Sequence, residues 1–526
     1  MILVSRHAIT RYLDRELETH KWVKKLTERQ LWQELKQLRT VPQFKTDPWL
    51  HQLACFYLGL HYLRFLFILD MGLGKSKLVI DLIEHRFRQK RLSMRRDGRT
   101  ALVIVPGVLN TVGWGEDIER HSLMEPHLIT CENIEQKRYE LLHPQGEVTV
   151  IDMPSLALAL STKKKGKGRG KLLADKQAIA RAQQLYGFIG VDETHKYKNH
   201  ETLWYDVLDP LCAAADEVKG LTGTIFSASP IEMWPQFNLV DRGETFENRG
   251  LFQAAFFDSK SDHVKGTVYT FRPERTRTLN RMMQHRSIQY DESEVHELPE
   301  RVYRPIRMEL AGEADEHYRR ALEGVINVGA AESSKLDGGW VRMRQICGGY
   351  LKWSDAHGAH KLIFAQNPKL DMLMRLLEDI GSKKAVVCHD YTDSAELIEA
   401  RFKKEGIKYA TCSGRTKDKP AERARFLDDP TCRVFLMQNA AGGTGTDGLQ
   451  KVSNYMIFFE SPASPGLRKQ VEKRIHRPGQ TQRAFYYDLT YGRTVDSGIR
   501  EAHKQGFDLY EAVMSGRSST LRGLMS

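Results

Sequence analysis

The stretch Asp70-Met71-Gly72-Leu73-Gly74-Lys75-Ser76 follows an apolar run at 65–69 and leads into a helical pattern at 77–88. Strand, glycine-rich turn, Lys-Ser and helix form a cradle for phosphate. Glycines bring backbone N–H groups up to phosphate oxygens with no Cβ in the way, and the helix presents its positive end to the anion. On this reading Gly72 and Gly74 line the phosphates of ATP, Lys75 reaches the β- and γ-phosphates, and Ser76 ligates Mg²⁺. The strict pattern has a glycine where Leu69 stands. Further along, Asp192-Glu193-Thr194-His195 directly follows another apolar run, 188–191. A carboxylate at a strand end can hold Mg²⁺, and a second can polarise the attacking water. Asp192 is assigned to the metal and Glu193 to the water.

Such groups must be held at neighbouring strand ends, and the chain supplies strands. Short apolar runs at 65–69, 101–105, 127–131, 148–151, 188–191 and 218–221 alternate with amphipathic stretches. Several are β-branched and nearly continuous, as strands buried on both faces should be. The alternation resumes at 385–388, 409–412, 434–437, 455–460 and 485–489. The fold class is therefore α/β, with two parallel-sheet halves covered by helices. Leucines spaced among charges read residues 1–45 as an accessory helical extension, and 241–365 reads as an interposed, mainly helical region. The predicted division is 1–45, 46–240, 241–365, 366–505 and a tail at 506–526. The segment 162–171 (TKKKGKGRGK) cannot bury a core and reads as a basic loop, available to a phosphate backbone or simply solvated.

The 526 residues exceed one ordinary core, and 41% hydrophobic with 28% charged residues excludes a disordered chain, a collagen and a membrane bundle. Seventy-nine Lys and Arg against 67 acids give +12, which favours a polyanionic partner. Seven scattered cysteines without a C-x-x-C pair support neither a disulfide framework nor a zinc site. A reduced intracellular compartment is expected, and no membrane segment: the most apolar stretch, 58–71, carries His61, Arg64 and Asp70.

With these pieces in place the sequence resembles the superfamily 2 helicase-like ATPases, and within them the SNF2 (Swi2/Snf2) DNA translocases. The likeness runs from Gln52 to Ile499 with the motifs in family order. Residues 70–76 resemble D-E-M-G-L-G-K-T, and DETH at 192–195 stands for D-E-A-H. LVIVPGVLNTVGW at 102–114 is similar to segment Ia, VIDMPSL at 150–156 takes the place of Ib, and LTGT at 221–224 is similar to motif III, with Ile225 where the family has Pro. MRQICGGY (343–350), 369–377, AVVCHDYTDSAEL (385–397) and QNAAGGTGTDGL (438–449) resemble the later family segments. QVEKRIHRPGQ at 470–480 is close to Q-A-x-x-R-x-H-R-x-G-Q, the motif that favours SNF2 over other branches.

The resemblance implies two RecA-like lobes, ATP and Mg²⁺ as cofactors, and duplex DNA as a sequence-independent partner. Gln52 would read adenine, Gln470 would belong to the nucleotide site, and His195 would couple that site to motif III. Arg474 and Arg477 lie three apart, so on a helix they would share a face. Brought from the second lobe, they would act as arginine fingers, since guanidinium binds phosphate bidentately and stays charged. Thr222, Thr224, Gly443, Thr444 and Trp114 are the candidate DNA contacts, to backbone rather than bases. The expected function is ATP-driven translocation on duplex DNA that remodels or displaces bound proteins. The alternatives are a strand-separating or branch-migrating helicase and a non-hydrolysing nucleotide-dependent scaffold. A protein partner would use 1–45 or 241–365. The compact chain fits a bacterial or viral source and a cytoplasmic setting, or a nuclear one if the source is eukaryotic.

Overall fold

The computed structural model describes residues 5–70, 72–94, 98–163, 171–223, 225, 229–262, 266–295, 298–328, 333–355, 358–440 and 448–505. The chain divides into two compact units, Met1–Val295 and His296–Ser526.

In the first unit seven parallel strands form one sheet: β1 (Arg64–Leu69), β2 (Thr100–Val105), β3 (Pro126–Ile129), β4 (Val148–Asp152), β5 (Tyr186–Val191), β6 (Glu217–Thr222) and β7 (Ser287–Tyr290). Their order is β7-β1-β6-β5-β2-β4-β3. Alternate residues feed two cores. Leu66, Ile68, Leu102, Ile104, Ile189 and Val218 lie in one. Phe65, Phe67, Leu69, Val103, Val105 and Phe188 lie in the other. Burial of both faces is why these strands read as unbroken apolar runs. The helices that position the site are α1 (Leu50–His61), α2 (Lys75–Arg88) and α3 (Val108–His121).

The N-terminal extension is not one helix. Helix Arg6–Leu13 starts on a Ser5 cap, a 3₁₀ turn covers Lys21–Lys25, and helix Glu28–Lys36 starts on a Thr27/Gln30 capping box. The second cap satisfies N–H groups that a continuing helix would have bonded internally, so it marks a fresh start. Tyr12 and Leu13 join one core while Val23, Leu31 and Leu35 join the other. The extension therefore passes from one face of the sheet to the other. It is tied at β7 by Lys24, which pairs with Glu294 at 2.7 Å and lies over the Tyr290 ring.

In the second unit six parallel strands, β8 (Arg301–Met308), β9 (Lys384–His389), β10 (Tyr409–Cys412), β11 (Val434–Gln438), β12 (Ser453–Phe458) and β13 (Ala484–Tyr491), run in the order β8-β13-β12-β9-β11-β10. The 241–365 segment is thus less helical than its composition suggests. It supplies β7 to one sheet, β8 to the other, and antiparallel hairpins at Phe257–Asp262/Gly266–Phe271 and Tyr350–Asp355/Gly358–Ile363. β8 reads RVYRPIRM and lies half-exposed at the sheet edge, where Pro305 is tolerated and arginines reach solvent. An edge strand has no second buried face to make it apolar throughout. At the ends of the 162–171 basic loop, 161–163 and 172–174 pair as a short antiparallel hairpin; 164–170 lies outside the described residues, as does the tail at 506–526.

Two buried features carry measurable stability. Lys369 is fully buried, with Nζ 2.5 Å from Asp496 and beside the rings of Tyr491 and Phe459. Asp496→Ala would strand that ammonium, so a loss of ~3–5 kcal/mol is expected in denaturant unfolding followed by a second-unit probe. His85 and His389 are buried, and burial holds both imidazoles down at about 4. The unfolded chain therefore binds more protons between the ordinary imidazole value and about 4. The contribution of these two histidines to stability is expected to fall as pH drops through that window, opposed by buried Asp81 and Asp241, whose raised values work the other way. The readout is therefore the difference in thermal midpoint between wild type and His389→Asn at pH ~5 and at pH ~7. His389→Asn should flatten the dependence.

Candidate nucleotide site

β1 stops at Leu69 and the chain turns through Gly72 (φ 87°) and Gly74 (φ 69°) before α2 begins at Lys75. Both φ values lie in the left-handed region that disfavours a side chain. A Cβ on Gly74 would also sit 2.0 Å from Nε2 of Gln52. Gln52, on α1 and 3% exposed, donates to the carbonyls of Leu73 and Gly74 at 3.3 Å each, and its Oε1 accepts the Trp49 N–H at 2.9 Å. Its neighbour His51 places Nε2 2.9 Å from the Leu73 carbonyl. The predicted adenine reader thus braces the glycine turn. Lys75 leans back across the turn, donating to the Leu69 carbonyl at 3.1 Å, with Nζ 3.8 Å from Glu193 Oε1.

The acidic pair caps β5. The Asp192 N–H continues the ladder to Ile104 at 2.8 Å, and Glu193 then takes φ 50°, which swings its carboxylate toward Lys75. Glu193 Oε2 also meets His195 Nδ1 at 3.2 Å, and the same nitrogen lies 3.1 Å from Oγ1 of Thr222 at the end of β6. In the sheet β6 lies between β1 and β5, so the ends of three strands converge. The two carboxylates titrate apart. Burial, then the neighbouring Glu193 charge, raises Asp192 above the carboxylate range. Burial pushes Glu193 up as well, but Lys75 and the hydrogen bond from His195 outweigh it and hold Glu193 low, hence ionised.

Two predicted DNA contacts have other surroundings. Trp114 is 5% exposed and its indole N–H donates to Asp192 Oδ2 at 3.0 Å. Thr222 is fully buried against His195. Neither offers a surface to a polymer; an indole or hydroxyl buried in a core serves the neighbour it bonds. Thr224, Gly443 and Thr444 lie outside the described residues. Sequence reasoning missed Asp117, whose Oδ2 accepts the Ser76 hydroxyl at 2.6 Å. Its position three residues after Trp114, on the same face of α3, was the available signal.

In the second unit Arg474 and Arg477 do not share a helix face. The helix Pro465–Glu472 carries half-buried Gln470 and ends before them. They occupy successive turns, closed by Arg474 N–H to Val471 O (3.0 Å) and Gln480 N–H to Arg477 O (3.0 Å). The turns are needed to sink Ile475, His476 and Gln480. Gln480 Nε2 donates to Ser453 O and Ile475 O, while His476 Nε2 meets Pro299 O at 2.7 Å and its Nδ1 accepts from Arg301 at 2.9 Å. Arg474 is buried at 7% exposure; Arg477 is half-exposed. A further buried network joins three family segments. Arg344 pairs with Asp390 at 2.5 Å, Asn439 donates to Asp390 at 2.7 Å, and Glu460 accepts the N–H groups of Asp390 and Tyr391.

The first-unit residues fit ATP with Mg²⁺. The glycine turn takes positive φ at Gly72 and Gly74, a lysine stands at the helix start, and Ser76 and Asp192 offer one hydroxyl and one carboxylate, both hard oxygen donors. Mg²⁺ typically takes one or two protein ligands of this kind and keeps phosphate oxygens and waters for the rest. Trp114→Phe, which removes the N–H and keeps an aromatic ring at the position, is expected to lower nucleotide affinity in Mg²⁺ by ~10-fold or more, read by calorimetric titration.

A family profile described as the SNF2-related domain matches residues 50–391, and the chain belongs to that family. It is similar to the chromatin structure-remodeling complex subunit snf21 of Schizosaccharomyces pombe, 24% identical over 456 residues that cover 82% of this chain and 36% of the relative. It is also similar to the nuclear protein STH1/NPS1 of Saccharomyces cerevisiae, 22% identical over 84% of this chain and 32% of the relative. The chain thus spans about a third of the length of these curated relatives. Among solved structures, the Sulfolobus solfataricus SWI2/SNF2 ATPase core in complex with dsDNA aligns with 92% of this chain and 96% of its own, at 16% identity and TM-score 0.39. Among the described residues no helix is long and apolar enough to cross a membrane.

Proposed function

We propose that the chain is a DNA-stimulated ATPase that couples ATP hydrolysis to movement along duplex DNA, and so displaces or remodels what is bound there. The observation that carries this reading is the run of contacts Lys75–Glu193–His195–Thr222, which joins the phosphate cradle to the end of β6. A fuel site wired to the strand end that leads into LTGT is what a motor needs and a simple nucleotide-binding scaffold does not.

In this mechanism the N-terminus of α2 and Lys75 hold the β- and γ-phosphates, and Ser76 and Asp192 hold Mg²⁺. When bound, the metal neutralises charge on the phosphate oxygens. Glu193, ionised, orients a water and takes its proton. The water oxygen bonds to the γ-phosphorus as the bond to the bridging oxygen breaks, leaving ADP and phosphate. Arg477, with Arg474, is assigned to the negative charge that gathers on the γ-phosphoryl oxygens. Gln52 and Gln470 are assigned to the nucleotide. We read residues 46–240 and 366–505 as the two motor lobes, with the 241–365 segment serving both sheets. DNA is held through its backbone without regard to sequence, as a translocating enzyme requires.

The test is ATP turnover with no nucleic acid, single-stranded DNA, duplex DNA and RNA, with Lys75→Ala as the inactive control. Duplex DNA should stimulate most, and a triplex-displacement assay should report movement without strand separation in a parallel fork assay. Stimulation by RNA alone would reject the substrate. Turnover unaffected by Lys75→Ala would reject the site.

A further inference from the structure

Both residues assigned to Mg²⁺ are held by one face of one helix. On α3, Trp114 and Asp117 are three residues apart and so project one turn from each other on the same side. Trp114 donates its indole N–H to Asp192 Oδ2 at 3.0 Å, and Asp117 Oδ2 accepts a hydrogen bond from the Ser76 hydroxyl at 2.6 Å. The consequences are complementary. A serine hydroxyl has one hydrogen and two lone pairs, so a fixed carboxylate acceptor turns the lone pairs away from itself and toward a cation. A carboxylate with one oxygen engaged by an indole, and Oδ1 reached by the Glu193 N–H at 3.0 Å, is locked in rotation and has lone pairs left to give. Ser76 comes from the start of α2 and Asp192 from the end of β5, and nothing in their local backbone ties one to the other. Helix α3 does.

We propose that Asp117 and Trp114 are positioning residues, an outer clamp that sets Ser76 and Asp192 at the geometry Mg²⁺ demands. The inference rests on the assignment of Ser76 and Asp192 as the metal ligands. It differs from a packing role in a definite way. An orienting partner changes the affinity for the metal and leaves metal-free nucleotide contacts alone, whereas a structural defect weakens both.

The experiment measures binding of a fluorescent ADP in EDTA and across a Mg²⁺ titration, for the wild type, Asp117→Ala, Asp117→Asn and Trp114→Phe, with thermal unfolding of each. Asp117→Ala and Trp114→Phe should raise the Mg²⁺ concentration for half-maximal enhancement by ~10–100-fold while affinity in EDTA stays within about twofold. Asp117→Asn, whose amide oxygen still accepts a hydrogen bond, should fall between. Asp117 is partly exposed, at 28%, so its variants decide the matter if Trp114→Phe unfolds. An unchanged Mg²⁺ midpoint in Asp117→Ala overturns the clamp, and so does a parallel loss of affinity in EDTA. A wild-type protein that binds the nucleotide without any Mg²⁺ dependence instead strikes the ligand assignment beneath it.

Discussion

Arg477→Ala is expected to lower DNA-stimulated ATP turnover by ~10³-fold or more while nucleotide binding stays close to wild type. The guanidinium is assigned to charge that exists only as the γ-phosphoryl group departs, so its loss falls on the chemical step and not on the ground state. The structure separates the two arginines in this respect. Arg477 is half-exposed in a turn whose shape is held by the buried His476 and Gln480, so alanine there removes the fork without loosening its mount. Arg474 is buried, and its alanine variant should also lower the unfolding midpoint. Arg477→Lys keeps the charge but not the planar pair of donors, and should recover only part of the rate. Single-turnover phosphate release is the measurement. A rate for Arg477→Ala within threefold of wild type would remove this residue from the mechanism.

Glu193→Gln should be nearly as costly, ~10²–10⁴-fold in turnover, with ATP still bound. Glutamine fills the same space but cannot take the proton. In the native protein Lys75 at 3.8 Å and His195 at 3.2 Å overcome the effect of burial and keep the carboxylate ionised at neutral pH, able to accept a hydrogen bond from a water. The substitution would also leave Lys75 without its counter-charge, which favours phosphate binding. Trapped ATP on a slowly turning-over variant is therefore the expected signature, read by filter binding of labelled nucleotide. Rapid release of phosphate from Glu193→Gln would reassign the base.

Several elements were legible before any coordinates because their physics is local. Strands such as Val434–Gln438 and Tyr409–Cys412 advertise themselves through mostly apolar runs entered from a charged residue, Arg433 and Lys408. The phosphate turn is equally explicit, since Gly72 and Gly74 are spelled out by backbone that takes positive φ. Other features were misread for reasons just as physical. β8 has an arginine at every third position, Arg301, Arg304 and Arg307, and holds a proline, so no two-residue alternation marks it and an edge strand is hidden among coil-like sequence. The spacing of Arg474 and Arg477 suggested a helix face, but burying Ile475 and His476 between them required turns. Trp114 stood in the sequence as a candidate DNA contact or a plain core residue, and only the structure shows its buried indole N–H donating to Asp192.

By itself the sequence determined the chemistry on offer: a lysine and serine after a glycine turn, two adjacent acids, and an arginine pair in a recognisable frame. It determined the α/β class too, because hydrophobic periodicity is written residue by residue. Only the tertiary structure decided which groups meet. The order β1-β6-β5 sets Lys75, Thr222 and Glu193 at converging strand ends, although they are far apart along the chain, and α3 brings Asp117 to Ser76. Such pairings depend on strand order and helix docking, which arise from the packing of whole layers and leave no local periodicity to read.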